Sequence, residues 1–276
     1  MAKPKQKASY DLKAADRKRD MAIRIGLTAV VIIFAVALVL YIVMNNEKKP
    51  QSGEAKSVRV TSSKLVTKEG GSDPKVVLSM YEDFLCPHCG QFEQQFGPTV
   101  RKLIDTGAVA ADYYMVAILD RPQNQNYSSR AGGAAYCVAD ENIEAFQRFH
   151  DKLFLEQPTE TATAYPDNAQ LVESARLAGA GGGVPDCINK GRYTEMVQGM
   201  AKATGIQATP TIRINGEDYQ YSTPDALVAK IKEIAGDVPG LDGPAPAAPA
   251  PGQTPAAQAP APQLPTPQLP TPTPTR

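Results

Sequence analysis

Two cysteines separated by two residues form the most reactive pattern in the chain. Cys86 and Cys89 lie in the segment YEDFLCPHCGQFE (81–93), with Pro87 and His88 between them. This spacing lets the two sulfur atoms come within bonding distance across one helical turn. A thiol at a helix start ionises easily, because free backbone N–H groups and the positive end of the helix dipole favour the thiolate. The pattern predicts a redox pair, with Cys86 as the nucleophile and Cys89 as the buried resolving thiol.

A stabilised Cys86 thiolate would change the redox behaviour of the pair. If Cys86 titrates about two units below the ambient pH, the reduced form gains about 2.7 kcal/mol, or about 60 mV toward an oxidising disulfide. That direction favours an oxidase over a reductase. His88 is expected to point a ring N–H at the Cys86 sulfur and to favour the thiolate further. The alternative is a solvent-facing histidine that fills the turn.

The competing chemistry for a Cys-x-x-Cys pair is half of a zinc site. Zinc needs two further ligands, and the chain has no second Cys-x-x-Cys. The remaining candidates are Cys137, Cys187, His88, His150 and carboxylates. Because their spacing is atypical for zinc and the cysteines are predicted below to face an oxidising space, we expect no metal. His150 lies in an amphipathic stretch with three phenylalanines, which predicts a helix-surface or packing residue.

Strands and helices alternate in the part of the chain that must position the cysteines. Strands are predicted over 58–63, 75–82 and 109–118, and a hairpin over 211–221 with its turn at Asn215-Gly216. Helices are predicted over 89–103 and 223–235, with a long, interrupted helical stretch over about 129–204. This order predicts an α/β protein, a thioredoxin fold with an inserted α-helical domain at about 125–205.

A proline opens the predicted hairpin strand, in the sequence Ala208-Thr209-Pro210-Thr211. Such a proline indicates either an edge position or a cis peptide bond held by tight packing. The sequence leaves both open.

The two ends of the chain differ from the middle. The net charge is zero, so nothing suggests a nucleic acid as partner. A basic segment (1–22) precedes an apolar run over 23–44, which is long enough for a transmembrane signal-anchor. The basic flank predicts a cytoplasmic N-terminus and an extracytoplasmic catalytic domain, in a single-pass protein of the cell membrane. A linker (45–56) leads to the domain (57–238), and the Pro/Ala-rich segment 239–276 predicts a disordered tail.

The segments EDFLCPHC, GQFE and ATGIQATPTIRING resemble the signature stretches of the DsbA-like branch of the thioredoxin superfamily, in their usual order. The resemblance covers roughly 58–236 and is especially close to the membrane-anchored DsbA-like proteins of mycobacteria. It implies that Thr209-Pro210 is a cis-proline loop that faces the disulfide and pairs with substrate backbone. It also implies that Cys86 forms the mixed disulfide with reduced secreted proteins.

The resemblance further implies how the pair is recycled. Turnover needs an electron acceptor, for which the resemblance suggests a membrane quinone-linked protein similar to vitamin K epoxide reductase. No cofactor is expected beyond the disulfide itself, and the protein is expected to be a monomer.

One position departs from the family pattern. Thioredoxin and the best-known DsbA carry a buried acid six residues before the nucleophile, where this chain has Met80. Glu82 and Asp83 are the nearby carboxylates, and either is a candidate to carry the proton to or from Cys89. The alternative for Glu82 is a solvated strand end.

The two remaining cysteines, Cys137 and Cys187, both fall within the predicted helical insertion. A structural disulfide there would close a loop of about 50 residues and contribute on the order of 3–4 kcal/mol. The alternative is a second redox relay. Neither cysteine has a Cys-x-x-Cys partner or the adjacent cations typical of a reactive thiol, which favours the structural role.

These observations favour a protein disulfide oxidase acting on secreted proteins. A disulfide isomerase or reductase on the same fold is the first alternative, although the dimerisation domain that isomerases use is missing. A wall-bound adaptor with only structural disulfides is the second.

Overall fold

The structure is a computed structural model that describes residues 21, 26–30, 32–38, 53 and 55–243. The chain divides into two compact units, 1–49 and 50–276. In the first unit, residues 26–30 and 32–38 are helical. Among the described residues, no helix combines the length and apolar character that crossing a bilayer requires. The predicted span is described in part, at residues 26–30 and 32–38, and the predicted basic segment, linker and tail lie mostly outside the described residues.

A five-stranded mixed sheet forms the centre of the second unit. Its strands are β1 (Val58–Val60), β2 (Val77–Glu82), β3 (Ala110–Met115), β4 (Thr211–Ile214) and β5 (Glu217–Asp218). The spatial order is β1-β3-β2-β4-β5. Only β2 and β3 are parallel; the other neighbouring pairs are antiparallel. The central strand β2 is almost wholly buried, and its buried residues include the polar Ser79 and Glu82 beside Leu78, Met80 and Tyr81.

The helices follow the predicted order. They are α1 (Pro87–Asp105), α2 (Tyr127–Glu141), α3 (Ile143–Leu155), α4 (Asn168–Leu177), α5 (Val184–Asn189), α6 (Thr194–Thr204) and α7 (Pro224–Ala235), with a 3₁₀ turn at Pro122–Asn124. Helices α2–α6 form the insertion between β3 and β4, and α1 contacts both α3 of the insertion and α7 of the core. This is the thioredoxin fold with a helical insertion that the sequence predicts.

Helix α1 begins where β2 delivers the chain to the edge of the sheet. Pro87 occupies its first turn, where the missing N–H leaves no hydrogen bond unmade. Its apolar residues at steps of three and four, Phe92, Phe96, Val100 and Leu103, are all buried. One face of the helix therefore packs against the core from Cys89 to Ile104.

The first residues of the predicted C-terminal tail contact the folded domain. Leu241 is buried, and the Lys102 ammonium donates hydrogen bonds to the carbonyl oxygens of Leu241 and Gly243. The folded unit therefore includes residues 239–243, because an apolar side chain and a buried lysine both find partners there.

Candidate active site

A tight loop joins β2 to α1 and fixes the position of the first cysteine. The Asp83 carboxylate accepts hydrogen bonds from the backbone N–H groups of Leu85 and Leu119, each at 2.9 Å. The Cys86 N–H donates to the Asp83 carbonyl oxygen at 2.9 Å. Burial raises the pKa of the Asp83 carboxyl to about 6, against the opposing effect of these hydrogen bonds. Asp83, predicted as a candidate proton carrier, thus has both oxygens engaged in shaping the loop.

Cys86 is the N-cap of α1, and its sulfur is the more acidic of the two. The pKa of Cys86 is lowered from 9.0 to about 5. The largest cause is the hydrogen bond from the Cys89 thiol, and smaller contributions come from Thr209 and from the backbone N–H groups of Cys89 and His88. Burial opposes this shift. His88 contributes its backbone N–H, whereas its side chain is exposed beside the exposed Pro87. The predicted ring contact is thus replaced by a main-chain one.

Cys89 has the opposite character. Its side chain is fully buried, and burial, the Cys86 sulfur and the charge of Glu82 raise the pKa of its thiol well above 9.0. Both cysteines are free thiols in this structure. Both residues are buried, although Cys86 keeps 6% of its surface exposed and Cys89 none. An acidic first thiol beside a protonated second thiol is the arrangement that a nucleophilic and a resolving thiol require.

The Thr209–Pro210 loop lies against the redox pair. The Thr209–Pro210 peptide bond is cis, which is one of the two forms that the sequence leaves open. The Cys86 sulfur lies 3.4 Å from the Thr209 carbonyl oxygen. Thr209 and Pro210 are only half-buried, so this face is open to another polypeptide. Tyr221 extends the same region, since its ring packs edge-on against Phe92 and Phe96 and is 37% exposed.

Gln157, just beyond α3, connects the helical insertion to the redox turn, the first turn of α1 that carries Cys86 and Cys89. Its Nε2 donates to the carbonyl oxygens of Cys86 and Phe84, at 2.9 and 3.1 Å. Its Oε1 lies against Gly90, where an added Cβ would come within 2.4 Å of it. A Cβ at residue 90 would therefore displace the end of the Gln157 side chain from its place against the helix. Sequence analysis does not identify Gln157, because no local pattern indicates that it reaches this turn.

Glu82 is not a solvated strand end, contrary to the alternative considered for it. Its side chain is fully buried at the end of β2, and its Oε2 lies 3.1 Å from the His150 Nε2. His150 is correspondingly more than a packing residue, although its ring does pack against aromatic neighbours. These are Phe84, Tyr113, Phe146 and Phe154. The burial of Glu82 is possible because the histidine supplies a partner for its charge.

Cys137 on α2 and Cys187 on α5 are joined by a disulfide, with their Cα atoms 5.8 Å apart. The bond links two helices of the insertion. It does not involve the redox pair, whose two thiols are free.

Comparison with known proteins shows which family the chain belongs to. A family model described as "Thioredoxin" matches residues 66–233, which is more than half of the chain, and the chain belongs to this family. The crystal structure of oxidised DsbA from Mycobacterium tuberculosis is 66% identical with a TM-score of 0.67. That match covers 68% of this chain and 96% of the other. Fold, site and comparison together define a DsbA-like protein of the thiol–disulfide oxidoreductase class.

Two more distant relatives match over shorter stretches. Disulfide bond formation protein D of Bacillus subtilis is 28% identical over 151 residues, which is 53% of this chain and 66% of that protein. The serine/threonine-protein kinase PknE of Mycobacterium tuberculosis is 28% identical over 144 residues, which is 51% of this chain. This match spans only 25% of the kinase.

Proposed function

We propose that the protein donates its Cys86–Cys89 disulfide to reduced secreted proteins, through a mixed disulfide at Cys86. The observation that carries the proposal is the difference in acidity between the two thiols. A pKa of about 5 for Cys86 stabilises the reduced pair at neutral pH. Stabilising the reduced form makes the disulfide a stronger oxidant.

The steps follow from this difference. A substrate thiolate attacks the Cys86 sulfur, the bond between Cys86 and Cys89 breaks, and Cys89 leaves with the bonding electrons and takes up a proton. A second substrate thiolate then attacks the substrate sulfur of the mixed disulfide. Cys86 leaves as a thiolate, which is stable at neutral pH. The substrate has lost two electrons and formed a disulfide, and the pair has gained the two electrons.

The cis Thr209–Pro210 loop is the expected docking site for the substrate backbone. It is partly exposed and lies beside the attacked sulfur. Catalysis also requires an acceptor for the two electrons that remain on the pair. A quinone-linked membrane protein resembling vitamin K epoxide reductase fits this requirement, because it would share the membrane with a chain anchored through residues 23–44. The basic residues before that segment support an extracytoplasmic active site.

The decisive test is the reduction potential of the pair in the purified full-length protein, equilibrated with glutathione. A value near about −120 mV supports a disulfide donor. A value near about −270 mV identifies a reductase supplied with electrons, and contradicts the proposal.

Two substitutions test the roles of the cysteines. We expect Cys86→Ser to abolish dithiol oxidation and Cys89→Ser to accumulate mixed disulfides with substrates. Full activity of either variant contradicts the assignment. An unchanged function in Cys86→Ser would instead favour the adaptor, in which disulfides are only structural.

A further inference from the structure

The side-chain amide of Gln157 reaches the redox turn from the helical insertion. Residue 157 follows Glu156, the C-cap of α3, and precedes Pro158, which disfavours a helical backbone at residue 157. The chain therefore leaves α3 at this point. The amide nitrogen of Gln157 donates to the carbonyl oxygens of Phe84, at 3.1 Å, and of Cys86, at 2.9 Å. Because an amide nitrogen carries two N–H groups, both of its donors are used.

The Cys86 carbonyl oxygen receives three donors. The backbone N–H groups of Cys89 and Gly90 donate to it, at 3.0 and 3.2 Å, as the first hydrogen bonds of α1. The Gln157 amide adds the third and shortest of these contacts, at 2.9 Å. A carbonyl oxygen has two lone pairs, so three donors compete for it. The side-chain amide thus weakens the hold of this oxygen on the two helical N–H groups.

The Cys89 N–H makes this competition relevant to the chemistry. It donates to the Cys86 carbonyl oxygen, and it also bonds to the Cys86 sulfur, where it favours the thiolate. A shared N–H divides its donation between its two acceptors. When Gln157 occupies the carbonyl oxygen, more of the Cys89 N–H remains for the sulfur. The amide also offsets the partial negative charge of an oxygen close to the thiolate.

The surroundings fix the direction of the amide. The ring of Phe84 packs against Phe154 on α3, with 4.8 Å between the ring centroids, and this contact keeps the turn beside the insertion. The Gln157 Oε1 lies against Gly90, where an added Cβ would come within 2.4 Å of it. A reversed amide would place its oxygen against two carbonyl oxygens. The nitrogen therefore faces the turn.

We propose that Gln157 is a positioning residue of the redox pair, whose amide occupies the Cys86 carbonyl oxygen and leaves the Cys89 N–H to the Cys86 sulfur. Gln157 acts through the carbonyl group, and the insertion thereby takes part in setting the acidity of the first thiol. The inference rests on the proposed function, because an acidic Cys86 is what makes the disulfide a donor.

The ionisable groups that face the pair come from four parts of the chain. They are Glu82 at the end of β2, Asp83 in the following loop, His88 and Cys89 on α1, and Tyr221 beyond β5. All of them are the same in the proteins compared below. A shift in the titration of Cys86 therefore reports the amide.

The test compares Gln157→Met with unchanged Gln157, both in the full chain with Cys89→Ser, by thiolate absorbance against pH. Methionine keeps the length of the side chain and removes both donors. We expect the midpoint of the Cys86 titration to rise by about half to one unit, or about three- to tenfold in the acid dissociation constant, because a neutral hydrogen bond to the thiolate is weakened. The matched control is Gln198→Ala, which removes an amide hydrogen bond to Ser129 inside the insertion and should leave the midpoint unchanged.

An unchanged midpoint in folded Gln157→Met overturns the inference and leaves the amide a purely structural role. If Gln157→Met does not fold, Gln157→Glu is measured instead. Ionised glutamate keeps the size, has no donor and adds a negative charge, so the midpoint must rise at least as far, and an unchanged midpoint overturns the inference equally. The reduction potential of the wild-type pair tests the proposed function separately. A reductase-like potential together with a shifted midpoint would reject that function and keep the role of Gln157.

Discussion

The acidity of Cys86 depends on a donor one helical turn away, and replacing that donor tests how the site works. The Cys89 thiol is the largest of the effects that lower the pKa of Cys86 from 9.0 to about 5. We expect Cys89→Ala to raise the pKa of Cys86 by about one to two units, because the thiol donor is lost. Cys89→Ser keeps a hydroxyl donor at the same place and should remain close to wild type.

The magnitude follows from the two pKa values. An ordinary thiol is protonated at pH 7, so only the interval from pH 7 down to the pKa of about 5 stabilises the thiolate. Two units correspond to at most about 2.7 kcal/mol, or about 60 mV in a two-electron couple. The figure is an upper limit, because solvent screens a sulfur that substrates can reach.

The assay is the ultraviolet absorbance of the thiolate, measured as a function of pH in the two single-cysteine variants. Both variants lack the second thiol, so the absorbance reports Cys86 alone. Equal titration of Cys89→Ala and Cys89→Ser would refute the reasoning. The helix terminus and its backbone N–H groups would then account for the whole shift.

Three further outcomes are expected. The reduction potential should fall by about 30 mV per pH unit above pH 5 and by about 59 mV per pH unit below it. The reason is that reduction takes up one proton while Cys86 is ionised and two protons when it is not. A two-proton slope at neutral pH would mean that Cys86 is protonated there. Replacing both Cys137 and Cys187 by alanine should lower the free energy of unfolding by about 4 kcal/mol, because the disulfide closes a loop of 50 residues. Activity at low temperature should be retained. Unchanged stability in denaturant titrations would rule out the structural role. Gly90→Ala should cost about 1–3 kcal/mol by displacing the Gln157 amide; in a Gln157→Ala background the cost should vanish, and an equal cost in both backgrounds would place the strain elsewhere.

The redox turn and the order of elements were predictable, because both depend on local sequence. A buried strand followed by Cys86, Pro87 and a run of apolar residues at helical spacing specifies a strand, a turn and a helix in which the cysteines share one turn. The strand and helix boundaries shifted by only a few residues.

The partners that cross between elements were not predictable. His150 is 68 residues from Glu82 in the chain, and Gln157 is 71 residues from Cys86. The residues themselves left the cis form of the Thr209–Pro210 bond open, although the family resemblance implied it, and the structure has the bond in the cis form beside Cys86. Spacing along the chain carries no information about such contacts.

The sequence by itself thus determined the redox chemistry and the fold, because two thiols one turn apart and a strand–helix order are local properties. Only the tertiary structure decided what surrounds Cys89. The burial of Glu82 and its pairing with His150 depend on how α3 packs on α1 and the sheet, and no local pattern in the sequence specifies that packing.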